Sequence, residues 1–183
     1  MLERRCEQCE LEVGTLDRDE LGSQLRANAA AWRKLLGRGS IVHRRPPSPT
    51  GEVIWSAVEY GAHVRDVYAR FLDRLQRMLK DKNPEFPDWD QNHEAVTAAY
   101  AEADPGQVGY DLAVTAGRVA DIVDRIRGKK WDRRGTRSDG DTFTVESITR
   151  YMIHDVVHHL ADAEAGFAAI NKADNPDEVE DSE

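Results

Sequence analysis

The sequence predicts an all-α fold, most simply a four-helix bundle. Three observations carry this. Four long stretches repeat apolar residues at three- and four-residue steps, which is the period of an amphipathic helix. Proline, glycine and capping residues punctuate those stretches. No run of alternating apolar and polar residues is long enough for a core strand. At 183 residues the chain fits one domain with a substantial core.

The first helix is expected in LDRDELGSQLRANAAAWRKLLG. Asp17 is its candidate N-cap, and Leu21, Leu25, Ala29, Trp32, Leu35 and Leu36 mark its apolar stripe. RRPPSPTG then breaks the pattern, because proline cannot continue a helix. The second and longest pattern is EVIWSAVEYGAHVRDVYARFLDRLQRMLKDK, with Ile54, Val58, Val64, Val67, Phe71, Leu75, Met78 and Leu79 facing inward. NPEFPDWDQN is a loop and HEAVTAAYAEA a short helix or turn-like continuation. Asp104-Pro105 restarts a long helix as an N-cap followed by proline at the first helical position. Val108, Leu112, Val119, Ile122, Val123 and Ile126 line it. SDGD in WDRRGTRSDGDTFTVES reads as the tight turn of a short hairpin. Thr144 caps the last helix, VESITRYMIHDVVHHLADAEAGFAAI. The expected organisation is an N-terminal segment at 1–14, a bundle at 15–170 and an acidic disordered tail at 171–183. The connections between the first two and the last two long helices are long, so simple up-down-up-down connectivity is not implied.

Composition narrows the function. The net charge is −9 and the isoelectric point about 5.2. An acidic chain has little with which to neutralise phosphates, so duplex nucleic acid is not an expected partner. No apolar run approaches the roughly 20 residues of a membrane span. MLERRCEQCE has no apolar signal region, so the chain reads as cytoplasmic.

Three of the six histidines lie in the decapeptide YMIHDVVHHL. His154 and His158 are four apart, which places both rings on one helix face, where they can share a divalent ion. His159 lies about 100° further round and is set aside, as is Asp155, which is expected to pair with a basic group. His43 and His93 fall at loop or helix-end positions. His63 sits mid-helix on an apolar stripe and points into the core. If the second and last long helices are neighbours, His63 can meet His154 and His158, as facing helices of bundles often build metal sites. Three neutral imidazoles leave a fourth position open for substrate, the pattern of a catalytic ion. HDVVH approaches the metalloprotease pattern HExxH, but aspartate stands where that chemistry needs glutamate.

Glu59 and Asp66 flank His63 and are the candidates to orient a ligand imidazole or to serve as base for an activated water. Either would otherwise be a solvated acid paired with a nearby arginine. Trp55, Tyr60, Trp89, Tyr151 and Phe143 are core aromatics or walls of a pocket, with the loop residue Trp89 placed to gate one. KKWDRRGTR is a local basic cluster, either a solvated loop or an attractor for an anionic substrate. Cys6 and Cys9 form a single close pair. They are a partial metal site completed by a distant residue, or simple surface thiols.

WSAVEYGAHVRDV, PDWDQ and RSDGDTFTVESITRYMIHDVVHHL, in that order, resemble the DinB/YfiT-like superfamily of four-helix-bundle metalloproteins, in particular short actinobacterial DinB-type proteins. The resemblance implies one ligand histidine on the second helix and an HxxxH on the last, which correspond to His63, His154 and His158. It further implies a divalent ion, commonly zinc and in some members nickel. The ion would activate a low-molecular-weight thiol of the mycothiol or bacillithiol type for S-transfer to a small-molecule substrate. A homodimer is compatible with it. The isomerases of that superfamily carry a further C-terminal domain that the acidic tail does not resemble, so S-transfer is the expected reaction. Two other readings stay open: a non-catalytic, stress-linked metal- or ligand-binding bundle, and a metal-assisted hydrolase with Glu59 or Asp66 as base.

Overall fold

A computed structural model describes residues 4–176. Among these residues five α-helices form: α1 (Leu21–Leu36), α2 (Ala57–Lys80), α3 (Gln91–Thr97), α4 (Pro105–Val123) and α5 (Val145–Asp174). The four long ones pack as a bundle in which α1 and α2 each lie against both α4 and α5. Helices consecutive in the chain, α1 with α2 and α4 with α5, therefore sit mainly across diagonals. The long connections noted in the sequence make these crossings possible.

Local signals set the helix starts. Ser56 caps α2 by accepting from the Glu59 amide, while the Glu59 carboxylate accepts from the Ser56 amide. This reciprocal pair satisfies two otherwise orphaned donors. Thr144 and Ser147 do the same for α5. Asp104 accepts from the Gln107 amide with Pro105 at the first helical position of α4. Asp17 caps a short 3-10 turn, Arg18–Glu20, that runs directly into α1. Helix α5 continues to Asp174, four residues into the segment expected as tail. Residues 177–183 of that segment lie outside the described residues.

The expected hairpin is present as strands β2 (Arg134–Arg137) and β3 (Thr142–Thr144), antiparallel with Gly135 opposite Phe143. A third strand, β1 (Glu85–Phe86), pairs parallel to β2. It comes from NPEFPDWDQN, expected as loop throughout; two residues bounded by prolines carry no period-2 signal. The pairing anchors the loop that follows. Ser138 donates to the Phe86 carbonyl and its hydroxyl accepts from the Asp88 amide, so Trp89 is held next to the bundle.

The core runs the length of the helices, with Leu21, Leu25, Trp32, Val58, Leu75, Leu112, Val119, Ile148 and Met152 all fully buried. One polar network crosses it. Asn28 and the Trp32 indole both donate to the Val156 carbonyl, at 3.0 and 3.3 Å, and the Tyr68 hydroxyl donates to Asn28 Oδ1. These bonds fix how α5 is rotated about its axis at the level of its histidines. On the other side, Arg150 of α5 donates to the carbonyls of Val13 and Leu16, tying the N-terminal segment to the same helix.

Candidate metal centre

Helix α5 presents two interleaved pairs at four-residue spacing, His154/His158 and Asp155/His159. They face different neighbours. Asp155 and His159 meet His63 of α2, and one ligand atom from each of the three lies within 4.8 Å of the others. His154 and His158 instead meet Cys6 and Cys9 of the N-terminal segment within the same limit. The three histidines read from the sequence are thus distributed over two clusters: His63 belongs to one, His154 and His158 to the other.

His63 is 1% exposed, yet neither ring nitrogen has a hydrogen-bond partner. A buried polar atom left unpaired costs about 1–3 kcal/mol, so an orphaned imidazole calls for an explanation. Aromatic rings enclose it. Trp89 stacks on it at 5.0 Å, Trp55 lies at 5.6 Å, and His159 meets it edge-on at 4.8 Å. Burial, reinforced by repulsion from His159, pushes the His63 pKa down to about 3. It is a neutral base with a free lone pair, the form that binds metals.

His159 is oriented from behind. Its Nδ1 lies 2.9 Å from Asp162 Oδ2. A carboxylate only accepts, so Nδ1 carries the proton and Nε2 keeps its lone pair. That Nε2 lies 3.8 Å from Asp155 Oδ1. A carboxylate behind a ligand imidazole is the arrangement that fixes ring orientation and raises ligand basicity. Burial raises the Asp155 carboxyl above its ordinary range, partly offset by the nearby histidines. Two imidazoles and one carboxylate, all with lone pairs converging and one set orphaned, fit a divalent cation with positions left for other ligands.

Glu59 and Asp66 are engaged elsewhere. Glu59 accepts from Arg45 Nε and Nη2 and from the Ser56 amide. Asp66 accepts from Arg65 at 2.8 Å and from the Tyr100 hydroxyl at 2.6 Å. Both acids are ion-paired, and Glu59 is buried rather than solvated. His43 and His93 are exposed. In the basic cluster, Arg133 donates to the Met78 and Asp81 carbonyls and Arg137 pairs with Asp139 and Asp141.

A cavity of about 300 Å³ opens beside both clusters. Arg4, Arg5, Cys6, Tyr151, His154, Asp155 and His158 line it. The Cys6 thiol faces this cavity 3.5 Å from His158 Nδ1. A hydrogen bond from the Cys9 amide, with help from His154, lowers its pKa to about 6, while burial raises that of Cys9. Sequence reasoning passed over Asp155, His159 and Asp162. Their i, i+4 and i, i+3 spacings were visible, but nothing local told which stripe of α5 faces α2.

Fold and site together define a helical bundle in which side chains that could hold a metal ion gather where α2, α5 and the N-terminal segment meet. The chain belongs to the DinB superfamily, whose family model matches residues 24–163. It is similar in structure to YfiT from Bacillus subtilis, described as a probable metal-dependent hydrolase with an unusual four-helix bundle topology. The TM-score is 0.75 at 16% identity, covering 84% of this chain and 87% of that one. At this identity the likeness is one of fold. No curated protein matches the chain. Among the described residues no helix is long and apolar enough to cross a membrane.

Proposed function

We propose that this chain is a metal-dependent enzyme that transfers the sulfur of a small thiol to an electrophile, with His63, Asp155 and His159 as the protein's ligands to the ion. One observation carries the reading: His63 is buried with both ring nitrogens unpaired and faces a carboxylate and a second imidazole. A divalent ion there supplies a Lewis acid that lowers the pKa of a coordinated thiol. The protein's own groups do the rest. Asp162 holds His159 in the tautomer with Nε2 free. Trp55 and Trp89 exclude water from one side of His63. Arg4 and Arg5 stand at the cavity wall, where they attract the carboxylates of a small thiol.

In the reaction the thiol sulfur forms a bond to the electrophilic carbon, the leaving group departs with the bonding pair, and the thiol proton passes to solvent. This chemistry needs no free protein base beside the ion. Hydrolysis would be helped by one, and the two acids that flank His63 in the sequence, Glu59 and Asp66, are already paired with arginines. That difference favours S-transfer. The proposal takes zinc, or another borderline divalent ion such as nickel, as cofactor, a small molecule as substrate, the cytoplasm as location, and allows a homodimer.

The test uses chain purified without a histidine tag. Ion content and consumption of mycothiol or bacillithiol with an electrophile panel are measured for wild type, His63→Ala, Asp155→Ala and His154→Ala. Loss of activity together with one ion equivalent in the first two variants is expected. Turnover of esters or amides with no thiol consumption would replace this reading by a hydrolase. No turnover of either kind would leave a binding protein. Activity lost equally in His63→Ala and His154→Ala, with Asp155→Ala unaffected, would assign the centre to His63, His154 and His158.

A further inference from the structure

The second cluster shares no ligand with the first. We infer that Cys6, Cys9, His154 and His158 form a closed, four-coordinate zinc site that staples the N-terminal segment to α5. The ligand set is Cys₂His₂, one of the ordinary sets for a structural zinc ion. Zinc–sulfur and zinc–nitrogen bonds of about 2.3 and 2.0 Å put tetrahedral ligand atoms roughly 3.3–3.8 Å apart. The Cys6 Sγ to His158 Nδ1 separation is 3.5 Å, and all four ligand atoms lie within 4.8 Å of one another. A thiol–imidazole hydrogen bond would account for one of these contacts. It does not account for a second cysteine and a second histidine converging on the same point.

The surroundings are built to match. Cys6 to Leu11 is a tight turn closed by the Cys6 amide donating to the Leu11 carbonyl at 3.0 Å. Glu10, just after the second cysteine, takes φ of 58°. A non-glycine residue adopts that conformation only when something nearby imposes it. Both cysteines are free rather than bonded to each other. His158 uses Nδ1 toward Cys6, and its Nε2 lies 3.9 Å from Asp162. Asp162 is the same carboxylate that orients His159, and it also accepts from the Gln8 side chain, which lies between the two cysteines. One carboxylate thus holds a histidine of the first cluster and grips the turn that carries the cysteines of the second.

The position explains what the site does. With four protein ligands it keeps no place for substrate, so its role is to hold structure. What it holds is the segment that carries Arg4 and Arg5 to the rim of the cavity beside Asp155. Binding requires both thiols as thiolates, so loading releases protons and couples ion affinity to the docking of this segment.

The experiment loads reduced, tag-free full-length chain with cobalt(II) and records the thiolate-to-cobalt charge-transfer absorption. The band is expected in wild type and in His63→Ala, and absent from Cys6→Ser, Cys9→Ser, which should hold one zinc equivalent fewer than wild type. A wild-type protein without the band, or a serine variant that keeps the full zinc content, would overturn the assignment. Should the serine variant not fold, wild type alone decides. Both thiols should resist alkylation until a zinc chelator is added. Equal alkylation rates with and without chelator would refute the site.

Discussion

Replacing His63 by leucine separates stability from function. In the metal-free protein the imidazole has no hydrogen bond at either nitrogen and is 1% exposed. Removing an unsatisfied buried polar group recovers about 1–3 kcal/mol. The lost stack on Trp89, 5.0 Å away, returns about 0.5–1.5 kcal/mol of that. The net expectation is a metal-stripped His63→Leu protein more stable by about 1 kcal/mol, or roughly 2–4 °C in Tm at this chain length. With free zinc at 100 times its Kd, wild type gains about 2.7 kcal/mol that the variant cannot, and the order reverses. Thermal and urea unfolding, with and without zinc, measure both effects. A Cys6→Ser, Cys9→Ser background lets one centre report alone. A variant less stable than wild type without metal, or one that keeps the zinc-dependent gain, would refute the reasoning.

Three further outcomes follow from particular contacts. Asp162→Ala should weaken ion binding at His63/Asp155/His159 by about 10–100-fold, because it removes a 2.9 Å hydrogen bond to His159. The cysteine-containing centre should weaken less, since the 3.9 Å approach to His158 is longer than a hydrogen bond; chelator competition with cobalt spectra compares the two, and equal losses would contradict the geometry. Burial pushes the Glu59 carboxyl up, but Arg45 and Ser56 outweigh it and hold the pKa below the ordinary 4.5. Ionised Glu59 therefore stabilises the fold fully above about pH 4.5, by about 1–3 kcal/mol, and this is lost as pH falls through the lowered folded pKa. The stability gap between wild type and Glu59→Gln should narrow in acid; a constant gap would count against the clamp. Gly135→Ala would place a methyl 2.7 Å from Phe86 Cε1 and 2.9 Å from Met78 Cγ, an overpacking worth about 1–3 kcal/mol, and an unchanged Tm would show that β1 and β2 are not held as described.

Much of this molecule is legible in its sequence because much of it is periodic. The capping residues Ser56, Asp104 and Thr144 and the apolar stripes place the long helices, and the inward position of His63 follows from its stripe. The pairing of α2 with α5, on which a shared site depends, was a condition in the sequence and is met in the fold. The rotation of α5 was not legible. HDVVHH contains two equivalent i, i+4 pairs offset by one residue, and periodicity treats both alike. The choice between them is made by Asn28 and Trp32, more than 120 positions away, through bonds to a backbone carbonyl that no side-chain pattern reveals. The role of Cys6 and Cys9 was hidden for the same reason, since one partner, His158, lies 152 residues on from Cys6. In retrospect a half-site of two cysteines and a half-site of two histidines complement each other.

Anomalous diffraction from crystals of the metal-loaded, tag-free protein, recorded on both sides of the zinc edge, tests the division of α5 between two centres most directly. Two peaks are predicted, one among His63, Asp155 and His159 and one among Cys6, Cys9, His154 and His158. A single peak bound by His63, His154 and His158 together would contradict it.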